Sequence, residues 1–434
     1  MNNLSRRLTV MMVLLSLLII PAVSAQDDVV TIRFWNADTS GATEAAIEAW
    51  NSDNPNIQVE FVPYSNDDSG HTQVDTALLA GQVDAMINFG IQRVDSRARA
   101  GLFADLSELL PDFDIVEEFG TESTTYGDAV YAIPAGASFF MTYINADAFA
   151  EAGIEVPENW TWEEFIAIAE ELTTGSGPST RYGAMLPTWP WMDEVAAYER
   201  GWDFNVNVDA CTTNFDDPIW AEVATIRYEL ETVAGAALPY AEARAAQLVQ
   251  QNQLYGESVA MIISGTWILR STQNTVELPR DFVTTFAPVP SLTEDGFPYR
   301  SGKFDDFMAV AANSDHPEEA AQFLAWLATD GYLFYTEKGR FPAWQGFDAE
   351  VVAEVYFSGF EVPAEEILDI EAFIRVALDN TRPLAPQQEL LGNAELQTIW
   401  REEAVRVFNG ELTGEEASAN MKERGDRALA SLCD

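Results

Sequence analysis

The strongest constraint on this chain is the alternation of elements at its start. Residues 29–35 are apolar and β-branched and read as a strand. Residues 43–50 place Ala46, Ile47 and Trp50 on one helical face. Asp53-Asn54-Pro55-Asn56 is a turn, residues 57–62 alternate as a strand, residues 72–80 read as a helix, and residues 84–89 form a third strand. A β-α-β-α-β order argues for an α/β fold with a mainly parallel sheet and helices on its faces.

Further along, residues 126–134 read as a hairpin closed by Gly127-Asp128. Thr161 and Glu164 form a capping box for a helix that buries Phe165, Ile168, Ala169 and Leu172. A second helix starts at Ser314-Asp315-His316-Pro317, with Ser314 or Asp315 as cap and proline in the first turn. The C-terminal region is helical, broken at Asn409-Gly410 and Thr413-Gly414. With 434 residues, 47% of them hydrophobic, the chain can bury two or more cores. No linker separates two lobes in sequence, which is expected if the chain crosses between them more than once.

The charge balance is 23 basic against 70 acidic side chains, a net charge of -47. Nucleic-acid backbones and anionic membrane faces are therefore excluded as partners, because like charges repel. Only Lys303, Lys338 and Lys422 are lysines. The acidity reads mainly as a solvated surface. Arg6 and Arg7, the apolar run 8–20, Pro21 and the small residues 23–25 form a signal peptide over residues 1–25, cut before Gln26. No cysteine stands at the cut, so an exported protein without a lipid anchor is expected, periplasmic or extracellular. Cys211 and Cys433 are the two cysteines; export makes a disulfide between them chemically possible, the other reading being two unrelated thiols.

Catalytic patterns fit poorly. His71 lies in a polar loop and His316 at a helix start, both read as solvent-facing, and no nucleophile elbow, zinc pair or phosphate loop occurs. No metal site and no cofactor are expected. A pair of acids serving a glycosidase stays open, since acids are abundant. Aromatic placement says more. Trp35 and Phe89 stand at strand ends, Phe89 just after Asn88; Trp189 and Trp191 follow a strand, and so does Trp267. Ligands of open α/β sheets collect beyond the carboxyl ends of strands, and aromatic faces there can stack on the C–H face of a sugar ring. Trp50, Trp326 and Trp400 sit on helical faces and read as core. For Trp267, the preceding Ser264-Gly265-Thr266 lets the backbone turn tightly and approach a ligand.

In order along the chain, residues 126–134, the run from Tyr143 through Ala152-Gly153-Ile154 and Pro157 to Thr161-Trp162-Glu163-Glu164, the stretch from Gly256 to Gly265-Thr266-Trp267, Pro288-Val289-Pro290 and Asn409-Gly410-Glu411 carry a resemblance. The chain resembles the extracellular solute-binding proteins of ABC importers, in the sugar-binding branch that includes maltose-binding protein. The resemblance implies a two-lobe periplasmic-binding-protein fold (type II), with lobes at 26–136 plus 287–341 and 137–286 plus 342–434, and hinges near 135–138 and 285–288. It implies a monomer that binds a carbohydrate without catalysis and docks on transmembrane permease subunits served by a cytoplasmic ATPase. Trp267 stands where the family stacks a sugar ring, Trp189 and Trp191 near another subsite, and Phe89 with Gln92 and Arg93 where the first lobe contacts ligand. The segment from Arg340 to Trp344 resembles a return between lobes. Where the family often has a glycine pair, this chain has Gly302-Lys303-Phe304-Asp305. The candidate ligand set is Trp35, Asp67, Asn88, Phe89, Trp189, Trp191, Gly265, Trp267, Lys303, Asp305 and Trp344. Two rivals remain at this point: a polyamine or other cationic solute held by Asp67, Asp68, Asp305 and Asp306, and a secreted carbohydrate-active enzyme.

Overall fold

The computed structural model describes residues 29–378, 381–387 and 392–433. The signal peptide expected at residues 1–25 lies outside them. The opening alternation folds as β1 (Val30–Asn36), the helix Ala42–Asp53, β2 (Ile57–Pro63), the helix Asp68–Leu79 and β3 (Ala85–Phe89). β1 pairs in parallel with both β2 and β3.

The main sheet continues with β4 (Ile133–Asn145), β5 (Tyr182–Met185), β6 (Val259–Gly265), β7 (Thr284–Ala287), β8 (Gly302–Val310) and β9 (Phe341–Pro342). Among the described residues they form one continuous path, β2-β1-β3-β8-β4-β6-β5, with β7 and β9 also paired to β4. β4 spans 13 residues and serves two sets of neighbours. From Ile133 to Phe139 it pairs with β8, and Gly136 and Ala137 also meet β9. From Phe140 onward it pairs with β6, and from Thr142 with β7. All of these pairings are antiparallel, as is β3 with β8. The architecture is α/β, but the sheet is mixed rather than mainly parallel. The alternation at the start reports only on β1–β3, and the strands that return through the middle run the other way.

The cores follow this division. Ile32, Phe34, Trp50, Phe323 and Tyr332 pack on the β1–β3 side. Trp160, Phe165, Trp191, Trp220 and Trp400 pack on the β5–β6 side. A third cluster, with Trp35, Phe139, Phe304, Phe341 and Phe373, runs along the shared strand. The capping box of Thr161 and Glu164 is complete, and the hairpin at Gly127 forms with that residue at φ 68. Trp50 and Trp400 are core as expected, while Trp326 is half-buried against Trp50 at 5.2 Å. The helix Pro317–Ala328 starts with proline, but His316 is its N-terminal boundary and no side chain caps it. Ser314 instead donates to Asp84. His71 is also not solvent-facing. It is 3% exposed, hydrogen-bonds Asn66 through Nε2 at 2.7 Å and meets the edge of Tyr64.

Cys211 and Cys433 are bridged, with Cα atoms 6.5 Å apart. The bridge fastens the end of the helix Gly414–Ala430 to the hairpin of Val206–Asn207 and Thr212–Thr213. Asp426 reinforces it by accepting the N–H and hydroxyl of Thr213 at 2.8 and 2.9 Å. Replacing both cysteines by serine should keep the fold and lower its stability by about 2–4 kcal/mol, because the unfolded chain regains the entropy of the open loop. A denaturation midpoint equal to that of the oxidised parent would show that the Asp426 contacts suffice.

Candidate ligand-binding site

The stretch GESVAMIISGTWILRS (256–271) builds the first part of the site. β6 is buried at every position, and the chain then makes one tight turn over Thr266–Ile268. Trp267 leaves the core at that turn and is 45% exposed. A Cβ on Gly265 would collide with the Trp267 ring. The missing side chain therefore makes room for the indole itself, not for a ligand approaching the backbone. Phe140 braces the ring edge-on at 5.0 Å and Trp189 lies beside it at 6.2 Å. Phe140 in turn stacks on Trp191 at 5.4 Å. The loop carrying Trp189 is held from below: buried Arg227 donates to the Pro187 carbonyl at 2.7 Å and pairs with Glu231 at 2.6 Å. The result is a fixed aromatic platform with one large face open.

The second part is the charged end of β8. Its register against β4 slips around Asp305 and Asp306, a local irregularity that re-aims side chains. Lys303 and Asp305 are half-buried, between the buried Phe304 and Asp306. The Asp305 carboxylate accepts the Ser138 hydroxyl and its carbonyl accepts the Gly90 N–H. Lys303 Nζ lies 3.3 Å from Glu194 Oε1, which ties β8 to the helix Met192–Arg200. Asp306 points the other way. Both its oxygens lie 2.6 Å from Arg340 Nη1, and Tyr332 donates to it at 2.6 Å. Arg340 also lies over the Phe89 ring, 5.0 Å from its centroid. Gly136 is required here, since a Cβ would strike the Tyr332 hydroxyl.

Beside Lys303 lies a cavity of about 200 Å³ whose polar lining includes Gln92, Asp193, Glu194, Gln387 and Arg401; the platform residues do not line it. Its lining sets two acids, Asp193 and Glu194, beside two cations, Lys303 and Arg401, and its amides add further donors and acceptors. Such a lining suits an uncharged, hydroxyl-rich ligand. Burial pushes the Asp305 carboxyl up to about 6, while Lys303 and the Ser138 hydroxyl pull it back. Burial and the adjoining Glu194 carboxylate push Asp193 up to about 8.

Several expected ligand residues have other work. Trp35 is 6% exposed and its indole donates to the Gln82 carbonyl at 3.1 Å. Asn88 is fully buried between the Phe307 carbonyl and Arg97. Trp191 is fully buried beneath the platform. Asp67 is exposed but caps the helix Asp68–Leu79, accepting from Gly70. Trp344 is half-buried and donates to Glu118. Phe89, Trp189, Trp267, Lys303 and Asp305 remain as partly open groups around the candidate site. Sequence reasoning missed Phe140, Asp193 and Glu194, and noted Arg340 only as part of a segment. Asp193 and Glu194 follow Trp191 directly after Met192, a signal that was available; the bracing role of Phe140 had none.

These shifts carry a pH signature. A carboxyl whose folded value is raised holds its proton longer in the native state than in the unfolded chain. Its contribution to stability is therefore lost as pH rises, between about 4 and 6 for Asp305. Asp305→Asn should remove that part of the slope. In thermal unfolding the variant gains on the parent as pH goes from 4 to 7; parallel curves would place Asp305 in open solvent.

Residues 36–333 match the family model described as bacterial extracellular solute-binding protein. An uncharacterized lipoprotein in the oleD 5′ region of Streptomyces antibioticus is 28% identical over 330 residues, covering 69% of this chain and 67% of that one. The arabinooligosaccharide-binding protein of Halalkalibacterium halodurans is 24% identical over 324 residues, 70% and 67% of the two chains. Among solved structures, the sugar-binding protein MalE of Xanthomonas citri superposes with a TM-score of 0.73 at 16% identity, over 93% of this chain and 98% of that one. With two sheet halves sharing one strand, and a match over most of its length, the chain belongs to the bacterial extracellular solute-binding protein family.

Proposed function

We propose that this protein captures a sugar or small oligosaccharide in the cleft between its lobes and delivers it to the membrane permease of an ABC importer. The observation that carries this reading is the Trp267 platform: an indole 45% exposed, braced by Phe140 and Trp189. An exposed aromatic face of this kind stacks on the apolar face of a sugar ring. Asp305, Lys303 and Glu194, with the amides of Gln92 and Gln387, supply acceptors and donors for its hydroxyls. Relatives described as binding multiple sugars and arabinooligosaccharides support the same class of ligand. The cations Lys303 and Arg401 in the lining disfavour a polyamine and leave a neutral ligand as the better fit.

The lobes of this reading are 26–136 with 287–341, and 137–286 with 342–434. Closure bends the chain near 135–138 and 285–288, the first just before Phe139 and Phe140, where β4 changes neighbours. The protein is exported and works as a monomer without catalysis. The bond between its two cysteines supports a protein without lipid on cysteine, whereas the Streptomyces relative is described as a lipoprotein.

The test is thermal unfolding of the exported chain against neutral sugars, acidic sugars and polyamines. A ligand well above its Kd raises the midpoint by mass action, and a neutral sugar class is expected to do so. A shift with polyamines alone would overturn the reading. With the sugar in hand, Trp267→Ala should weaken binding about 30-fold or more, the loss of about 2 kcal/mol expected at a central aromatic contact, without unfolding the protein. Gly265→Ala should weaken binding in the same direction although every ligand contact residue is retained, because the indole is displaced. An unchanged Kd in both variants would remove the platform from the site.

A further inference from the structure

The charge of this protein inverts in one place. A pocket of about 180 Å³ is lined by Arg300, Arg375 and Arg382, with Glu158 as the one carboxylate among its described lining residues. Over the whole chain acids outnumber bases by 70 to 23, yet three of those 23 bases meet here. Two are held in place by the fold. Arg300 lies 4.1 Å from the centroid of the Phe139 ring and donates to the Ala377 carbonyl at 2.8 Å. Arg382 donates to the Phe297 carbonyl at 2.9 Å. Arg375 is exposed in the last turn of the helix Ile370–Ala377. Neither Arg375 nor Arg382 makes an ion pair among the described residues.

The pocket also straddles the crossing between lobes. Phe139 pairs with β8 and Phe140 with β6, and both line it, together with Pro288, Val289 and Ser301 from the next crossing segment. The wall of this pocket is therefore made of the parts that must move against each other if the lobes close. It is separate from the cavity beside Asp193 and Glu194, with which it shares no lining residue.

We infer that this pocket is a binding site for a small multivalent oxyanion such as phosphate or sulfate. Guanidinium groups present planar forks of donors that match oxyanion geometry. Two of the three are already oriented by carbonyl contacts, so less freedom is lost on binding. The surrounding negative field works against the anion at a distance, but at physiological ionic strength it is screened beyond about 8 Å, whereas contacts inside the pocket are not.

The test is calorimetric titration and thermal unfolding with inorganic phosphate and with sulfate, against sodium chloride at matched ionic strength. Saturable heat and a saturable rise in midpoint are expected with the oxyanions and not with chloride. Arg375→Gln/Arg382→Gln should weaken the oxyanion by about ten-fold or more, the loss expected when a hydrogen bond to a charged group is removed. If that double variant is too unstable, Arg375→Gln alone, at an exposed position, should give a smaller loss in the same direction. Lys422→Gln, a basic residue elsewhere, should leave the response unchanged, and the arginine variants should keep the thermal shift given by a neutral sugar, which separates this site from the sugar reading. A response equal in parent and arginine variants, or none in the parent, overturns the inference.

Discussion

Everything in this fold hangs on the hydrogen bonds of β4. One strand of 13 residues carries β8 and β9 on its first part and β6 and β7 on its second. A strand interior is stiff, because each residue's backbone groups are committed to a neighbour. The change of neighbour at Phe139 and Phe140 is where that commitment is handed over, and so it is the natural place for bending. The aromatic platform and the charged end of β8 both start within a few residues of it. Phe140 supports Trp267, and Ser138 holds Asp305. The candidate site is thus built directly on the joint.

A chain with so few bases uses them as internal ties. Arg97 and Arg227 are almost fully buried, and a buried cation without partners would be strongly unfavourable. Arg97 bonds Asn88 and Asp75; Arg227 bonds Glu231 and lies over Tyr240 at 4.6 Å. Arg33 grips Asp84 through two nitrogens, at 2.8 and 3.0 Å. Each tie joins segments that are distant in sequence or fixes a loop that carries a site residue. The acids, by contrast, lie mostly on the surface, where water solvates them.

What was legible in the sequence was local. The capping box at Thr161, the glycine turn at 127 and the first three strands depend on residues a few places apart, and they form as read. The family resemblance was carried by many short pieces in order, which is why it survived the errors in detail. The site was read less well because exposure is decided by distant partners. Trp35 is an aromatic at a strand end, as Trp267 nearly is, but Gln82 meets its N–H and the core closes over it. Trp191 is covered by Phe140, 51 residues earlier in the chain. His71 is drawn inward by Tyr64 and Asn66. Gly265 makes room for the Trp267 ring, and nothing in a linear pattern says that the ring two places on folds back over it.

The exposure of Trp267 has an optical consequence. It is the most open of the 12 tryptophans in the chain; the other eleven are buried or half-buried. An indole in contact with water emits at longer wavelength and is reached by dissolved quenchers, whereas buried indoles are shielded. The red edge of the protein's own emission therefore comes chiefly from one residue of the aromatic platform. A molecule that settles on that ring would be reported without a label, and the seven buried indoles serve as the internal reference.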